Sequence, residues 1–146
     1  MKRTEFFKTC GALCLGGALV AEFLQSCKST HYAVSEQSGT NLKVMKTEFE
    51  LTKNGQTTFR SYIIVNPEKL NFPIYLYRMN ESEYSALWME CTHQGAELTA
   101  HGEYLTCAAH GSEFDKNGNV TQGPAQKSLR RFKTSDENDF ILISLS

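Results

Sequence analysis

From Asn41 to the C-terminus, apolar and polar residues alternate in short runs rich in β-branched and aromatic side chains, the pattern of half-buried strands. The runs cover residues 42–51, 57–65, 73–79, 84–91, 97–106, 128–134 and 139–145. Asn54-Gly55 offers a tight hairpin turn between the first two, and Asn66-Pro67 ends the second. No window after the N-terminal region keeps an apolar face at helical spacing. Several short strands at this spacing predict an all-β domain over residues 41–146, an antiparallel sandwich or barrel.

The chain before Asn41 reads differently. Residues 28–40 are polar and rich in Ser and Thr without sustained periodicity, so they are expected to form a tether. Residues 1–26 begin with Lys2, Arg3 and Lys8 and continue as an apolar, Gly- and Ala-rich stretch from Thr9 to Ala21, broken by Glu22. That stretch is too short to span a bilayer comfortably and reads as an export signal. Leu24-Gln25-Ser26-Cys27 resembles a bacterial lipobox, which implies that Cys27 becomes the lipid-modified first residue of an exported protein held at a membrane and facing the periplasm or another extracytoplasmic side. An uncleaved apolar anchor, or simple cleavage leaving a free Cys27 thiol, is the alternative. Arg3-Thr4-Glu5-Phe6-Phe7-Lys8 resembles a twin-arginine signal with Thr4 in place of the second arginine, so the export route stays open. Cys10 and Cys14 sit inside the apolar stretch as small hydrophobes.

Composition narrows the picture. A chain of 146 residues, 40% hydrophobic and 21% charged, suits one globular domain and leaves no room for a second catalytic one. A net charge of −1 without a block of like charges points away from nucleic acid. Arg130-Arg131-Phe132-Lys133 reads as a solvated strand face, and Asp115 to Asn119 as a tight turn rather than a calcium loop, because no later acidic ligand follows at the required spacing.

The candidate chemistry lies in two short segments, Cys91-Thr92-His93-Gln94-Gly95 and Cys107-Ala108-Ala109-His110-Gly111-Ser112. Each carries one thiol and one imidazole, and the 13 residues between His93 and Cys107 suffice for a strand, a turn and a return strand. Zinc also takes two thiolates and two imidazoles, but zinc fingers pair Cys with Cys and His with His along the chain.

At these residues the sequence resembles the Rieske 2Fe-2S family, in which two imidazoles replace two thiolates on one iron. The resemblance includes Gly95, Gly111, the segment Gly111 to Asp115, and Gly123-Pro124-Ala125, which is similar to the family's proline loop. It implies one 2Fe-2S cluster, with Cys91 and Cys107 on the inner iron and His93 and His110 on the outer iron, facing solvent. It further implies that residues 89–112 form a protruding cluster-binding hairpin, that the Ser112 hydroxyl bonds a bridging sulfide, and that Gly123 and Pro124 cover another side of the cluster.

The departures from the family also carry information. Ala96 and Ala109 stand where the members from cytochrome bc complexes have a disulfide joining the two loops, and Phe114 stands where they have a tyrosine that donates to a cysteine sulfur. A lost donor disfavours the reduced cluster, whereas neutral histidine ligands favour it; the expected potential falls in the lower part of a range of roughly −150 to +300 mV. His31 and His101 are expected at the surface, and Trp88 in core packing with a further role in shielding the cluster.

These readings converge on a lipid-anchored electron carrier that passes single electrons between redox partner proteins at a bacterial membrane surface, without substrate chemistry of its own. Two alternatives stay open. One is the small iron–sulfur subunit of a larger oxidoreductase, quinol-oxidising or similar to arsenite oxidase; the other is a binding or sensor module in which the cluster only supports the fold.

Overall fold

The computed structural model describes residues 30–146. The expected export signal, Cys10, Cys14 and Cys27 of the lipobox-like segment lie outside the described residues. In chain order the strands are β1 (Tyr32–Ala33), β2 (Ser35–Ser38), β3 (Asn41–Met45), β4 (Glu50–Lys53), β5 (Gln56–Phe59), β6 (Tyr62–Val65) and β7 (Ile74–Arg78). There follow β8 (Tyr84–Trp88), β9 (Thr99–Ala100), β10 (Tyr104–Thr106), β11 (Glu113–Asp115), β12 (Val120–Gln122), β13 (Arg131–Glu137) and β14 (Phe140–Ser144). No helix among the described residues is long and apolar enough to cross a membrane.

Eight strands form one sheet in the order β1-β6-β7-β8-β13-β14-β3-β2, four form a small sheet β12-β11-β10-β9, and β4-β5 is a separate ribbon. The large sheet is antiparallel except where β1 runs parallel to β6. Its two outermost strands, β1 and β2, are consecutive in the chain and separated only by Val34. The sheet therefore curls until its edges nearly meet, giving the nearly closed, barrel-like all-β fold that the alternating pattern predicts.

Side-chain alternation explains how two cores arise from one sheet. Ile63, Val65, Ile74, Leu76, Ala86, Phe132, Ile141 and Ile143 point into the barrel with Leu42, Val44 and Phe49. The intervening residues Ile64, Tyr75, Tyr77 and Leu87 point outward, where they pack on Leu98, Leu105 and Phe114 of the small-sheet region. β6, β7 and β8 are thus buried on both faces and read as near-continuous apolar runs, whereas β13 and β14 alternate because their outer face meets solvent.

Several boundaries differ from the sequence expectation, each for a local reason. The run 42–51 breaks at a 3₁₀ turn, Lys46–Phe49, which buries Phe49 and turns the chain into the ribbon. The run 97–106 divides at Gly102, whose φ of 78° makes the turn between β9 and β10. β11 and β12 are only three residues each and carry no alternation long enough to read. Asn54-Gly55 forms the expected hairpin turn, with φ of 52° and 76°.

The largest difference concerns residues 28–40, expected as a tether, with the domain starting at 41. Residues 32–38 instead form the seam of the barrel: Tyr32 and Ala33 pair with Ile64 and Val65, and Ser35 to Ser38 pair with Val44 to Asn41. His31 adds a 2.6 Å contact from Nε2 to Glu48 Oε2, and its carbonyl accepts the Ile64 N–H at 2.9 Å. Backbone pairing at an edge needs no apolar side chain, so a polar segment can take this role unannounced. Removing residues 28–40 is expected to lower the thermal midpoint by on the order of 10 °C, as measured by circular dichroism. An unchanged midpoint would show that the seam contributes nothing to stability.

Candidate functional site

The two Cys–His segments form two turns of matching construction. In the first, the Gly95 N–H donates to the Cys91 carbonyl (2.8 Å) and the Cys91 N–H to the Ala96 carbonyl (2.8 Å). In the second, the Gly111 N–H donates to the Cys107 carbonyl (2.9 Å) and the Cys107 N–H to the Ser112 carbonyl (2.8 Å). Gly95 and Gly111 close these turns at φ of 72° and 79°, a backbone conformation that favours glycine. The Glu90–Glu97 bridge and the Leu98 N–H to Met89 carbonyl bond (3.0 Å) attach the first turn to the end of β8. The second turn joins β10 to β11.

The turns bring the four expected donors together as two pairs. Cys91 and Cys107 are free, buried thiols in the apolar layer between barrel and small sheet. Burial pushes the Cys91 thiol up, while the N–H groups of His93 and Gln94, aimed at its sulfur, oppose this. The rings of His93 and His110 stand edge to face, centroids 4.9 Å apart and planes at 89°. His110 is exposed and His93 half-buried.

This donor set fits an iron–sulfur cluster of mixed ligation. His93 Nδ1 is buried without a hydrogen-bond partner, a costly state that a metal bond would relieve. By chemistry the four donors are a thiol pair and an imidazole pair, one of each from either turn. Two irons, each needing two protein ligands, match that division.

Ser112 is fully buried, and its Oγ accepts the Ala125 N–H at 3.0 Å, leaving its own hydrogen free to donate. Gly123 and Pro124 lie exposed in the loop after β12 that delivers this N–H. The Thr92 hydroxyl donates to the Lys127 carbonyl (2.6 Å), and Gln122 Nε2 to the Gly111 carbonyl (2.9 Å). Residues 122–127 therefore touch both turns and bridge them without a disulfide. Sequence reading missed Thr92, Gln122 and Lys127, because their partners are distant in the chain or are main-chain carbonyls.

The small sheet is pinned to the barrel by a polar set that was also not anticipated. The Tyr75 hydroxyl donates to the Gly102 carbonyl (2.6 Å), and the Tyr77 hydroxyl to Glu103 Oε1 (2.7 Å), which also receives Lys116 Nζ (2.8 Å). Burial pushes both tyrosine hydroxyls up. Gly118 N–H donates to the Asp115 carbonyl, while Asp115 Oδ1 accepts the N–H groups of Asn117 and Asn119, so residues 115–119 form the expected tight turn. A Cβ on Gly118 would meet Leu87 Cδ2 at 3.0 Å, which shows how closely this turn sits on β8.

The remaining residues singled out in the sequence lie as follows. His101 stacks on Tyr104 (5.2 Å) and contacts Thr106 Oγ1 at 2.9 Å, away from the donor pairs. Trp88 packs against the barrel core, donates Nε1–H to the Phe72 carbonyl (3.2 Å), and lines a cleft with Cys91 and Arg130. Phe114 is fully buried in the same apolar layer as the two cysteines.

A barrel bearing a small sheet whose two turns present paired thiols and imidazoles defines an iron–sulfur electron-transfer domain. The Rieske [2Fe-2S] domain profile matches residues 27–133, and the chain belongs to that family, whose domain carries one [2Fe-2S] cluster. It is 39% identical over 56 residues to the "Cytochrome b6-f complex iron-sulfur subunit 1" of Nostoc sp., covering 37% of this chain and 31% of that protein. It is 34% identical over 77 residues to the cytochrome b6-f complex iron-sulfur subunit of Prochlorococcus marinus, covering 49% and 43% respectively. The chain thus spans less than half the length of these curated relatives. Among solved structures, the cyanobacterial plasma membrane Rieske protein PetC3 from Synechocystis PCC 6803 superposes with a TM-score of 0.51 at 28% identity, covering 57% of this chain and 86% of that one.

The polar pin predicts an acid dependence. Lys116, then Tyr77, holds the Glu103 carboxyl below its ordinary value of 4.5. A carboxyl depressed by folding stabilises the fold above that ordinary value and loses its contribution as pH falls through the folded value. In urea unfolding, the advantage of the natural protein over Glu103→Gln should be present at about pH 7 and shrink by about pH 4. An advantage independent of pH would remove the charge from the explanation.

Proposed function

We propose that the chain is a membrane-held Rieske electron carrier that passes single electrons between redox partner proteins on the extracytoplasmic side of a bacterial membrane. The observation that carries this reading is the donor set itself: two buried thiols and two imidazoles on a pair of matching turns, one imidazole with an orphaned Nδ1 and the other open to solvent. In this reading Cys91 and Cys107 hold the inner iron, and His93 and His110 the outer iron. Bound there, the cluster supplies a one-electron couple.

The chain's own residues set the conditions for that couple. The N–H groups of His93 and Gln94 face the Cys91 sulfur and favour added negative charge there. Ser112, held by Ala125, is oriented to donate from a buried position. Leu98, Leu105 and Phe114 exclude water from the thiol side, and His110 offers the solvent-facing edge that a partner reaches. The reading takes Cys27 as the lipid-bearing residue, supported by the lipobox-like Leu24 to Cys27 and the basic, apolar segment before it.

The curated relatives are named as iron–sulfur subunits of cytochrome b6-f complexes, which favours a second reading, in which the chain is the iron–sulfur subunit of a larger oxidoreductase. Purification from native membranes under mild detergent separates the two: a fixed large partner at constant stoichiometry supports the subunit, and a free domain supports the carrier.

Chemical analysis tests the site. Protein produced with iron available should contain two irons and two acid-labile sulfides per chain, and stoichiometric zinc without sulfide would reject the reading. The Phe114→Tyr variant tests the tuning of the couple. At a fully buried position the added hydroxyl must find an acceptor, and a cysteine sulfur of the same layer is available. A charge-assisted hydrogen bond contributes about 1.5–3 kcal/mol when well formed, and 59 mV corresponds to a tenfold change for one electron. The midpoint potential should therefore rise by several tens of millivolts; an unchanged or lower potential with intact cluster content would show that position 114 does not address the sulfurs.

A further inference from the structure

Apart from Tyr104 on β10, the exposed large apolar side chains among the described residues lie on the entering segment, on Met45 of β3 and on the β4-β5 ribbon. Tyr32 is 60% and Val34 74% exposed. Burial alternates along the seam, with Tyr32, Val34, Glu36 and Ser38 facing outward. The antiparallel register that sets Ser35 opposite Val44 and Glu36 opposite Lys43 continues by one residue to set Val34 beside Met45, itself exposed. The Glu36–Lys43 pair (3.9 Å) marks where this face turns polar. Two more exposed apolar residues, Leu51 and Phe59, lie on the β4-β5 ribbon. The base of that ribbon is tied to the same corner: the Arg60 N–H donates to the Phe49 carbonyl (2.7 Å), Arg60 Nη1 to the Glu48 carbonyl (3.1 Å), and Glu48 contacts His31.

We infer that the seam face formed by Tyr32, Val34 and Met45 seats against the lipid bilayer, and so fixes the orientation of the domain on the membrane. The inference rests on the reading of Cys27 as the lipid-bearing residue. From Cys27 to Thr30 is three peptide units, which span at most about 11 Å when fully extended. From His31 onward the backbone is bonded into the barrel. A domain held so close to its lipid must rest some surface on the interface, and the residues nearest the attachment are a tyrosine and two aliphatic side chains, types suited to the headgroup boundary. β13 lies four strands from β1 in a ring of eight, on the opposite side of the barrel. The flank formed by β8 and β13, with Lys127 and Arg130 beside it, therefore turns toward the aqueous phase.

Site-directed labelling of the lipid-anchored protein in phosphatidylethanolamine–phosphatidylglycerol vesicles tests this. Val34→Cys and Ser135→Cys are each labelled with an environment-sensitive fluorophore and challenged with an aqueous quencher. The label at 34 should shift to the blue and be quenched several-fold less than the label at 135, and the difference should vanish in a Cys27→Ala background without vesicles. Protein that floats with the vesicles while both labels are quenched equally would overturn the orientation but leave the anchor standing. Protein that does not float would remove the anchor and the orientation together. Protection of position 34 in the Cys27→Ala protein without vesicles would assign the face to a second copy of the chain and overturn the lipid seat.

Discussion

Everything at the site depends on burying the outer face of β6, β7 and β8. Those strands already have one face in the barrel, and their other face carries Ile64, Tyr75, Tyr77 and Leu87 into contact with Leu98, Leu105 and Phe114. Burial of apolar area contributes about 25 cal/mol per Å², enough for this second layer to hold a sheet whose strands are only two or three residues long. The cysteines lie in that layer, so the same packing that attaches the small sheet also fixes both thiols. Tyr75, Tyr77 and Glu103 add direction to an attraction that has none, because each hydrogen bond specifies one register of small sheet on barrel.

Holding two turns at a fixed separation is commonly a task for a covalent cross-link, and here the positions for one are Ala96 and Ala109. The loop after β12 supplies the restraint by other means. It takes the Thr92 hydroxyl from one turn, gives an N–H to Ser112 at the other, and is preceded by Gln122, which bonds the Gly111 carbonyl. Each bond is worth about 0.5–1.5 kcal/mol on its own. Acting on a loop anchored by buried Ala125 and Leu129, they constrain the turns together. The arrangement is independent of the redox state of cysteine, so the frame of the site does not share the chemistry of its ligands.

The strands with a steady alternation, and the Asn54-Gly55 turn, were legible because burial on one or both faces leaves a periodic signature. The donor motif was legible because it is local: each turn holds its Cys, His and Gly within five residues. Most of what escaped was non-local or carried by the main chain. Tyr32 and Ala33 gain their strand conformation from β6, far along the chain. Ser35 to Ser38 pair with β3 just across the Gly39-Thr40 turn through main-chain groups, so their polar side chains carry no trace of it. The ties made by Thr92, Tyr75 and Tyr77 reach carbonyls or carboxylates 25 or more residues away. Phe114 was noticed for the donor it lacks, yet only packing revealed that its ring sits among the thiols' neighbours.

The single residue between β1 and β2 has a consequence for how the barrel comes into being. Residues 35–38 can pair with β3 across the short Gly39-Thr40 turn, but Tyr32 and Ala33 can settle only when β6 stands at the other margin of a curled sheet. Until then those margins offer unpaired backbone groups, the feature that makes open sheets adhere to one another. Closing the barrel requires the contact of Tyr32 and Ala33 with Ile64 and Val65, and pairings between such distant parts of a chain are the slower ones to form. The strip that closes the barrel completes the ladder through its main chain, and carries the apolar side chains of Tyr32 and Val34 on its outer face.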